Sequence, residues 1–155
     1  MCLHCELRIL NVPLTYTTGD PLQTTLQTLA IGHNAKGRTE TNPLDMRLQA
    51  EYPAAFAGYS RLCRQGRIRP GGLWSWSESL PRLLFLTVRE SSVGATRLRY
   101  VEAALMTITR EYYYYDLQSI ALAPLTGKEE WPSMRPVVDY CLSACPLEIE
   151  VYEPE

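Results

Sequence analysis

The sequence lacks the long apolar run that a membrane-spanning helix requires, since no stretch approaches ~20 apolar residues. Its first ten residues, MCLHCELRIL, also lack the charged-then-apolar order of a signal peptide. The formal net charge is only -2, which gives no electrostatic reason to expect a nucleic-acid-binding surface. We therefore expect a cytoplasmic protein with no membrane partner.

Histidine is scarce, and cysteine is irregularly placed. The two histidines stand beside five cysteines, an odd number at uneven spacings, which argues against a secreted disulfide framework. Cys2 and Cys5, with His4 between them, resemble half of a zinc site, but structural zinc needs four ligands. The other close pair, Cys141 and Cys145, lies one helical turn apart, and we expect both to pack as small apolar residues. We therefore expect no metal site and no cofactor.

What the sequence does contain is an alternation of strand and helix patterns. With 155 residues, 46% of them hydrophobic, the chain can form one domain, residues 1–155, with its own core. Strands are predicted around Leu7, Ile9 and Leu10, and at Leu14–Thr18, Leu26–Ile31, Leu73–Trp76, Leu83–Val88, Ile120–Ala123 and Leu147–Tyr152. Helices are predicted at Leu44–Tyr52, Ala54–Arg64, Thr96–Tyr112 and Pro132–Cys145. This order predicts an α/β sandwich with a mixed, mostly parallel sheet.

The stretch LQSIALAPLTGKEEW, residues 117–131, organises the rest of the chain. Its apolar run Ile120–Ala123 is typical of a strand buried on both faces, and Trp131-Pro132 opens a helix with proline in its first turn. Between them, Thr126-Gly127-Lys128 turns the chain. Backbone N–H groups converge at such a strand–turn–helix junction, which favours an anionic ligand. The alternative is an ordinary turn that binds nothing, since only one glycine is present.

A polar loop is predicted at Gly32–Pro43, directly after the strand Leu26–Ile31. Twelve residues without secondary structure in a compact domain usually indicate either a working loop or a flexible one. The loop contains His33, but no nucleophile stands at a recognisable spacing from it. A Ser–His–Asp site therefore has little support.

Five stretches carry a resemblance to a known family. They are LTYTTGD near the start, AEYPAAFAGYSRLCRQGRIRPGGLW in the middle, RLRYVEAAL in the later helix, SIALAPL before the turn, and EIEVYEP at the end. On these stretches the sequence resembles a macrodomain, in particular the subgroup that removes terminal ADP-ribose and includes the antitoxin of DNA ADP-ribosylating toxin–antitoxin pairs. The resemblance implies a three-layer α/β/α sandwich with a six-stranded sheet. It also implies ADP-ribose or a related adenine nucleotide as the ligand.

The resemblance further implies roles for individual residues. Asp20 stands where macrodomains accept a hydrogen bond from the adenine amine, and Tyr152 stands where an aromatic ring often lies against the base. Asn34 matches the asparagine of the first ligand loop. The phosphate-binding loop is matched by Leu125, Thr126 and Gly127. The residues alone favour Asp20 as a turn aspartate that caps its own backbone, and they also explain Tyr152 as a half-exposed edge aromatic.

The sequence departs from the family at the residues that the resemblance would make catalytic. Val88 stands where the subgroup has a lysine, and neither valine nor the neighbouring Arg89 is a useful nucleophile. The second loop is several residues shorter and lacks the catalytic aspartate, for which Glu129 or Glu130 could stand in. In the first loop, Thr41–Pro43 takes the place of glycines, and a proline has no N–H to offer.

Three functions remain open after these departures. The expected one is a non-catalytic module, with no catalytic residues, whose partners are ADP-ribose or an adenine nucleotide and a macromolecule that carries ADP-ribose. An alternative is an ADP-ribosyl hydrolase with relocated catalytic residues. The third is a protein-interaction scaffold whose pocket has closed.

Overall fold

A computed structural model describes residues 14–155, so the strand predicted around Leu7 and the Cys2, His4 and Cys5 group lie outside the described residues. Six β-strands are present in this part of the chain: β1 Leu14–Thr17, β2 Thr28–Asn34, β3 Leu73–Trp76, β4 Arg82–Arg89, β5 Ser119–Leu122 and β6 Glu148–Tyr152. Four α-helices accompany them: α1 Pro43–Glu51, α2 Pro53–Arg64, α3 Leu98–Glu111 and α4 Trp131–Leu142. None of these helices is long and apolar enough to cross a membrane.

The strands form one mixed sheet in the order β1-β6-β5-β2-β4-β3. All neighbouring pairs are parallel except β3 with β4, which is antiparallel. The mixed, mostly parallel six-stranded sheet is thereby confirmed, as is the interior position of β5. Strand β6, predicted toward an edge, lies between β1 and β5 and so is one strand in from the outermost described strand.

Two hydrophobic clusters lie on opposite faces of the sheet. On one face, the inner sides of α3 and α4 pack against Ala30, Leu84 and Ile120. On the other, α1 and α2 pack against Leu29 and Phe85. Successive residues of a strand point to opposite faces, and β2 and β4 are buried at nearly every position, so their apolar residues supply both clusters. The result is the predicted α/β/α sandwich.

Strand β2 is longer than predicted, and the expectation of a loop starting at Gly32 was wrong by three residues. Gly32 pairs with Leu86, and His33 with Thr87, on β4. A Cβ on Gly32 would lie 2.9 Å from a methyl of Val88, so glycine is needed here for close packing rather than for a turn. His33 and Asn34 thus end a buried strand, although polar residues in such a pattern are typical of a loop.

Candidate functional site

A cleft of about 510 Å³ crosses the sheet at the carboxyl ends of its parallel strands. Its floor contains Gly32 at the end of β2 and Ala123 directly after β5, while Arg89 marks the end of β4 and Pro154 follows β6. Parallel strands end at the same edge of a sheet, so residues distant in sequence meet there. The cleft is the place where this fold brings together the carboxyl-end segments of four parallel strands.

One wall of the cleft is the segment that links β5 to α4, here named the β5 loop and comprising residues 125–130. Leu125 is 3% exposed and anchors the loop in the core. Within residues 14–155, the backbone N–H groups of Thr126, Gly127, Lys128, Glu129 and Glu130 donate no hydrogen bond to another group. Thr126 and Gly127 line the cleft. The wall therefore carries consecutive free donors at the N-terminal end of a twelve-residue helix, where the helix dipole favours negative charge.

The start of α4 is held in place by its first residue. The Trp131 backbone N–H donates to the Gly127 carbonyl oxygen over 3.2 Å. The Trp131 indole N–H donates to Glu153 Oε2 over 2.7 Å, which ties the helix to the chain after β6. The Arg135 guanidinium lies 3.3 Å from the same Glu153 oxygen. These contacts fix the orientation of the β5 loop without using its own N–H groups.

Two threonine hydroxyls at the β5 loop differ in their partners. Thr96 Oγ1 donates to the Leu125 carbonyl oxygen over 2.8 Å, and thereby joins the segment before α3 to the loop. Thr126 Oγ1 is buried and has no hydrogen-bond partner among the described residues. A buried hydroxyl without a partner costs about 1–3 kcal/mol, so a ligand that supplied a partner would recover that energy.

The opposite wall is the loop between β2 and α1, here named the β2 loop and comprising residues 35–42. Asn34, at the end of β2, is fully buried, and its amide group holds this loop together. Its Oδ1 accepts from the backbone N–H groups of Lys36 and Arg38, and its Nδ2 donates to the Arg38 carbonyl and to Glu40 Oε2. The side chain predicted to contact a ligand is thus engaged within the protein and does not line the cleft.

A buried cluster of charged residues beside Asn34 was not predicted from the sequence. Glu40 and Asp45, each about 6% exposed, both line the cleft, and Arg89 forms an ion pair with Glu40 at 2.9 Å. His33 Nδ1 lies 3.4 Å from Asp45 Oδ1 and makes no hydrogen bond to any residue of the described range. Burial acts to raise the pKa of the Asp45 carboxyl, but His33, the Gln49 amide and the Glu40 backbone N–H together bring that pKa below its ordinary value.

The first turn of α1 offers few donors to the cleft. The Asn42 side chain accepts from the Asp45 backbone N–H over 2.8 Å and so caps the helix itself. Pro43, the first helical residue, has no N–H. The expectation that Thr41–Pro43 gives poor backbone access agrees with this arrangement.

Asp20 and Tyr152, predicted for the adenine end, lie near each other but outside the lining of the cleft. Asp20 accepts from the Leu22 backbone N–H and pairs with Arg47 at 2.8 Å, and the Arg47 hydrogen bond lowers the pKa of the Asp20 carboxyl. Asp20 therefore has the capping role that its turn position suggested. Tyr152 is 8% exposed and belongs to the cluster under α1 and α2. Pro154, two residues after Tyr152, lines the cleft.

The positions aligned with catalytic residues differ in their surroundings. Val88 is fully buried in the core under α3 and α4. Glu130 lines the cleft, whereas Glu129 does not. No group of three or more His, Cys, Asp or Glu side chains that could hold a metal ion occurs in the described range. The parallel strands β2, β4 and β5 end at Asn34, Arg89 and Leu122. With the order of these strands in hand, polar residues at their ends are the signal from which the charged cluster could have been found.

No family model matches the sequence, and no curated protein does either. Solved structures match its fold. The macrodomain of Thermus aquaticus DarG is 21% identical over 91% of this chain and 98% of its own, with a TM-score of 0.83. The macrodomain of Mycobacterium tuberculosis DarG is 19% identical over 92% of this chain and 98% of its own, with a TM-score of 0.82. Thermosipho africanus DarTG, solved in complex with ADP-ribose, is 18% identical over 94% of this chain and 42% of its own, with a TM-score of 0.84. The resemblance drawn from the sequence is confirmed at the level of architecture: this chain has the macrodomain fold.

Proposed function

We propose that this protein is a non-catalytic module that binds ADP-ribose or a related adenine nucleotide. The observation that carries the proposal is the run of backbone N–H groups from Thr126 to Glu130, which have no acceptor within residues 14–155 and which precede α4. Three of these five residues, Thr126, Gly127 and Glu130, line the cleft. Several donors and a helix N-terminus suit a diphosphate. The bound ADP-ribose in Thermosipho africanus DarTG, which shares the fold, supports the same ligand class. A macromolecule that carries ADP-ribose is the partner that this ligand suggests.

We assign the adenine to the end of the cleft beside Asp20. A carboxylate has about four acceptor sites, and the Asp20 carboxylate uses three of them, two on Oδ1 and one on Oδ2. One site on Oδ2 remains for the exocyclic amine of adenine. Tyr152 lies in the same region as Asp20, and the contact of its ring with the base remains a prediction. Asn34 acts through the β2 loop, which it holds in shape.

Absence of catalysis follows from the chemistry of two positions. The fully buried Val88 supplies no nucleophile, and loss of one acid–base participant typically removes ~10²–10⁴ of rate. Three carboxylates line the cleft. Glu40 is paired with Arg89, and Asp45 accepts from the Gln49 amide. Glu130 is therefore the one that a hydrolase would have to use. We expect the pure protein to leave ADP-ribosylated protein and DNA intact over hours. Turnover that is lost in Glu130→Gln would instead establish the hydrolase.

The binding test is a calorimetric titration of the protein with ADP-ribose and AMP, with NAD as a comparison ligand. We expect micromolar to sub-millimolar binding, and a roughly ten-fold or greater loss for AMP in Asp20→Ala. The matched control is Arg47→Ala, which removes the same surface ion pair but keeps the carboxylate. If no adenine nucleotide binds at millimolar concentration, the scaffold function replaces this proposal.

A further inference from the structure

Arg89 carries the only positive charge among the described residues that line the cleft. It is the last residue of β4, and 14% of its side chain is exposed. The lining continues beyond it to residues 42–45 at the start of α1 and to residues 94–96 before α3. A ligand that fills the cleft would therefore lie against the guanidinium.

Four hydrogen bonds hold this guanidinium in one orientation. Nε and Nη2 donate to the two oxygens of Glu40 over 3.1 and 2.9 Å. Nη2 also donates to the Gly32 carbonyl oxygen over 3.0 Å, and Nη1 donates to Thr96 Oγ1 over 2.8 Å. Because a guanidinium has five N–H groups, one N–H of Nη1 has no acceptor within residues 14–155.

The same bonds place the guanidinium across the end of β2 and toward the β5 loop. A Cβ on Gly32 would lie 3.7 Å from Nη1, so the glycine leaves room for this approach. The Thr96 hydroxyl that accepts from Nη1 also donates to the Leu125 carbonyl oxygen over 2.8 Å. Nη1 is thus two hydrogen bonds away from the residue before Thr126, where the run of N–H groups without acceptors in the described range begins.

Glu40 fixes the guanidinium without using its last N–H. The Glu40 side chain is 6% exposed, and its Oε2 accepts from the Asn34 amide as well as from Arg89. A two-point contact between a carboxylate and a guanidinium sets the geometry of both groups. The remaining Nη1 N–H is therefore held in place before a ligand arrives, which lowers the entropy cost of using it.

We infer that Arg89 binds the diphosphate of ADP-ribose through this Nη1 N–H. The inference rests on the proposed function and adds a side chain to a phosphate site that otherwise consists of backbone groups. A diphosphate has two phosphate groups, so one can accept from the N–H groups of Thr126 and Gly127 while the other accepts from Arg89. A hydrogen bond between a guanidinium and a phosphate is charge-assisted, and such bonds are roughly twice as strong as neutral ones.

The test is a set of calorimetric titrations with ADP-ribose and with adenosine, which has no phosphate. The double variant Arg89→Gln/Glu40→Gln removes both charges and so leaves no buried charge unpaired. It should bind ADP-ribose roughly ten-fold or more weakly than the wild type, because a hydrogen bond between charged groups is lost. Its loss of adenosine affinity should stay below about two-fold, since adenosine does not reach Arg89.

The single variant Glu40→Gln separates contact with the ligand from support of the β2 loop. It keeps the guanidinium and removes the neighbouring negative charge, so ADP-ribose should bind about two- to five-fold more tightly. Glu148→Gln makes the same charge change at an exposed site outside the cleft lining, and its effect should stay below about two-fold. The comparison of the single and double variants with ADP-ribose decides even where adenosine binds too weakly to measure.

Three results would contradict the inference. A folded double variant that binds ADP-ribose like the wild type would show that Arg89 does not contact the ligand. Equal losses of ADP-ribose and adenosine in the double variant, or weaker ADP-ribose binding in Glu40→Gln than in the wild type, would assign the effect to the shape of the β2 loop. These results remove the inference alone, whereas a wild type that binds no ADP-ribose removes the proposed function with it.

Arg89→Lys replaces the double variant if thermal melts show that the latter is unfolded at the assay temperature. An ammonium group paired with Glu40 has no fixed donor left for the ligand, so ADP-ribose should bind about three-fold or more weakly. Wild-type affinity in Arg89→Lys would then contradict the inference.

Discussion

The two loops that face each other across the cleft use their backbones in opposite ways. In the β2 loop, five N–H groups are already bonded within the protein, those of Ala35, Lys36, Gly37, Arg38 and Glu40. In the β5 loop, the five consecutive N–H groups from Thr126 to Glu130 have no such partners within the described residues. The first loop is built for rigidity, and the second presents donors to whatever enters the cleft. Substitutions in the first should therefore change stability, and those in the second should change binding.

The largest change in stability is expected at Glu40, the β2-loop residue that pairs with Arg89. Glu40→Ala leaves the Arg89 guanidinium and the Asn34 amide without their acceptor, and loss of one partner of a buried pair costs about 3–5 kcal/mol of unfolding free energy. Urea denaturation followed by circular dichroism measures the change. Glu130→Ala, at an exposed carboxylate of the β5 loop, is the control and should stay within about 0.5 kcal/mol. Equal losses in the two variants would abolish the contrast between the loops.

Each loop contains one glycine suited to a matched substitution. Gly37 has a φ of +67°, and a Cβ there would lie 2.7 Å from the Cα of Ser60, so Gly37→Ala should lower the unfolding free energy by about 1–2 kcal/mol or more. A Cβ on Gly127 would approach only the flexible end of Glu130, at 3.3 Å. Gly127→Ala should fold normally and weaken ADP-ribose or ADP roughly ten-fold, because the methyl group blocks close approach to the backbone. Thermal melts and calorimetry on both variants test this pair. A Gly127→Ala protein that binds like the wild type would show that the ligand does not approach this loop.

A smaller effect should follow from the negative charge of the β5 loop. Glu130 lines the cleft beside the free donors and repels an anionic ligand. Glu130→Gln should therefore tighten ADP binding by roughly two- to five-fold at low salt, and less at high salt. Glu129→Gln, which removes the same charge outside the cleft lining, should have a weaker effect. An identical gain in ADP affinity for both variants would show that the net charge of the protein, and not the position of Glu130, causes the effect.

The smallest predicted effect concerns acid stability and Asp45 of the β2 wall. The pKa of its carboxyl is below the ordinary value in the folded protein, so the unfolded chain binds the proton more readily. The stabilisation is present above the pKa of the unfolded state and is lost as the pH falls through that of the folded state, below about pH 4. In urea titrations at successive pH values, Asp45→Asn should reduce the fall of the unfolding free energy at acid pH. The exposed Glu148 is the control site, and Glu148→Gln should leave that pH dependence unchanged.

The sequence predicted the strand and the helix on either side of the β5 loop, but not the side-chain partners of the β2 loop, for a physical reason. The apolar run before Pro124 and the proline in the first turn of α4 are local signals, and both elements form as predicted. The partners Glu40 and Arg89 are 49 residues apart and meet only because β2 and β4 are parallel neighbours. Asn34 matched a ligand-loop asparagine by position, but nothing local indicated that its amide would be used by Lys36 and Arg38. Local pattern predicts elements, whereas side-chain partners across a sheet require the strand order.

The anchoring of Trp131 gives the cleft an intrinsic fluorescent reporter. Its indole is hydrogen-bonded to Glu153 and its backbone N–H to Gly127, so its emission depends on the field around the β5 loop. The other two tryptophans of the chain, Trp74 and Trp76, lie on β3 at the opposite side of the sheet from β6. With both replaced by phenylalanine, the remaining emission would come from Trp131 alone. Occupancy of the cleft could then be followed in real time with unlabelled nucleotides, including the rates at which they enter and leave.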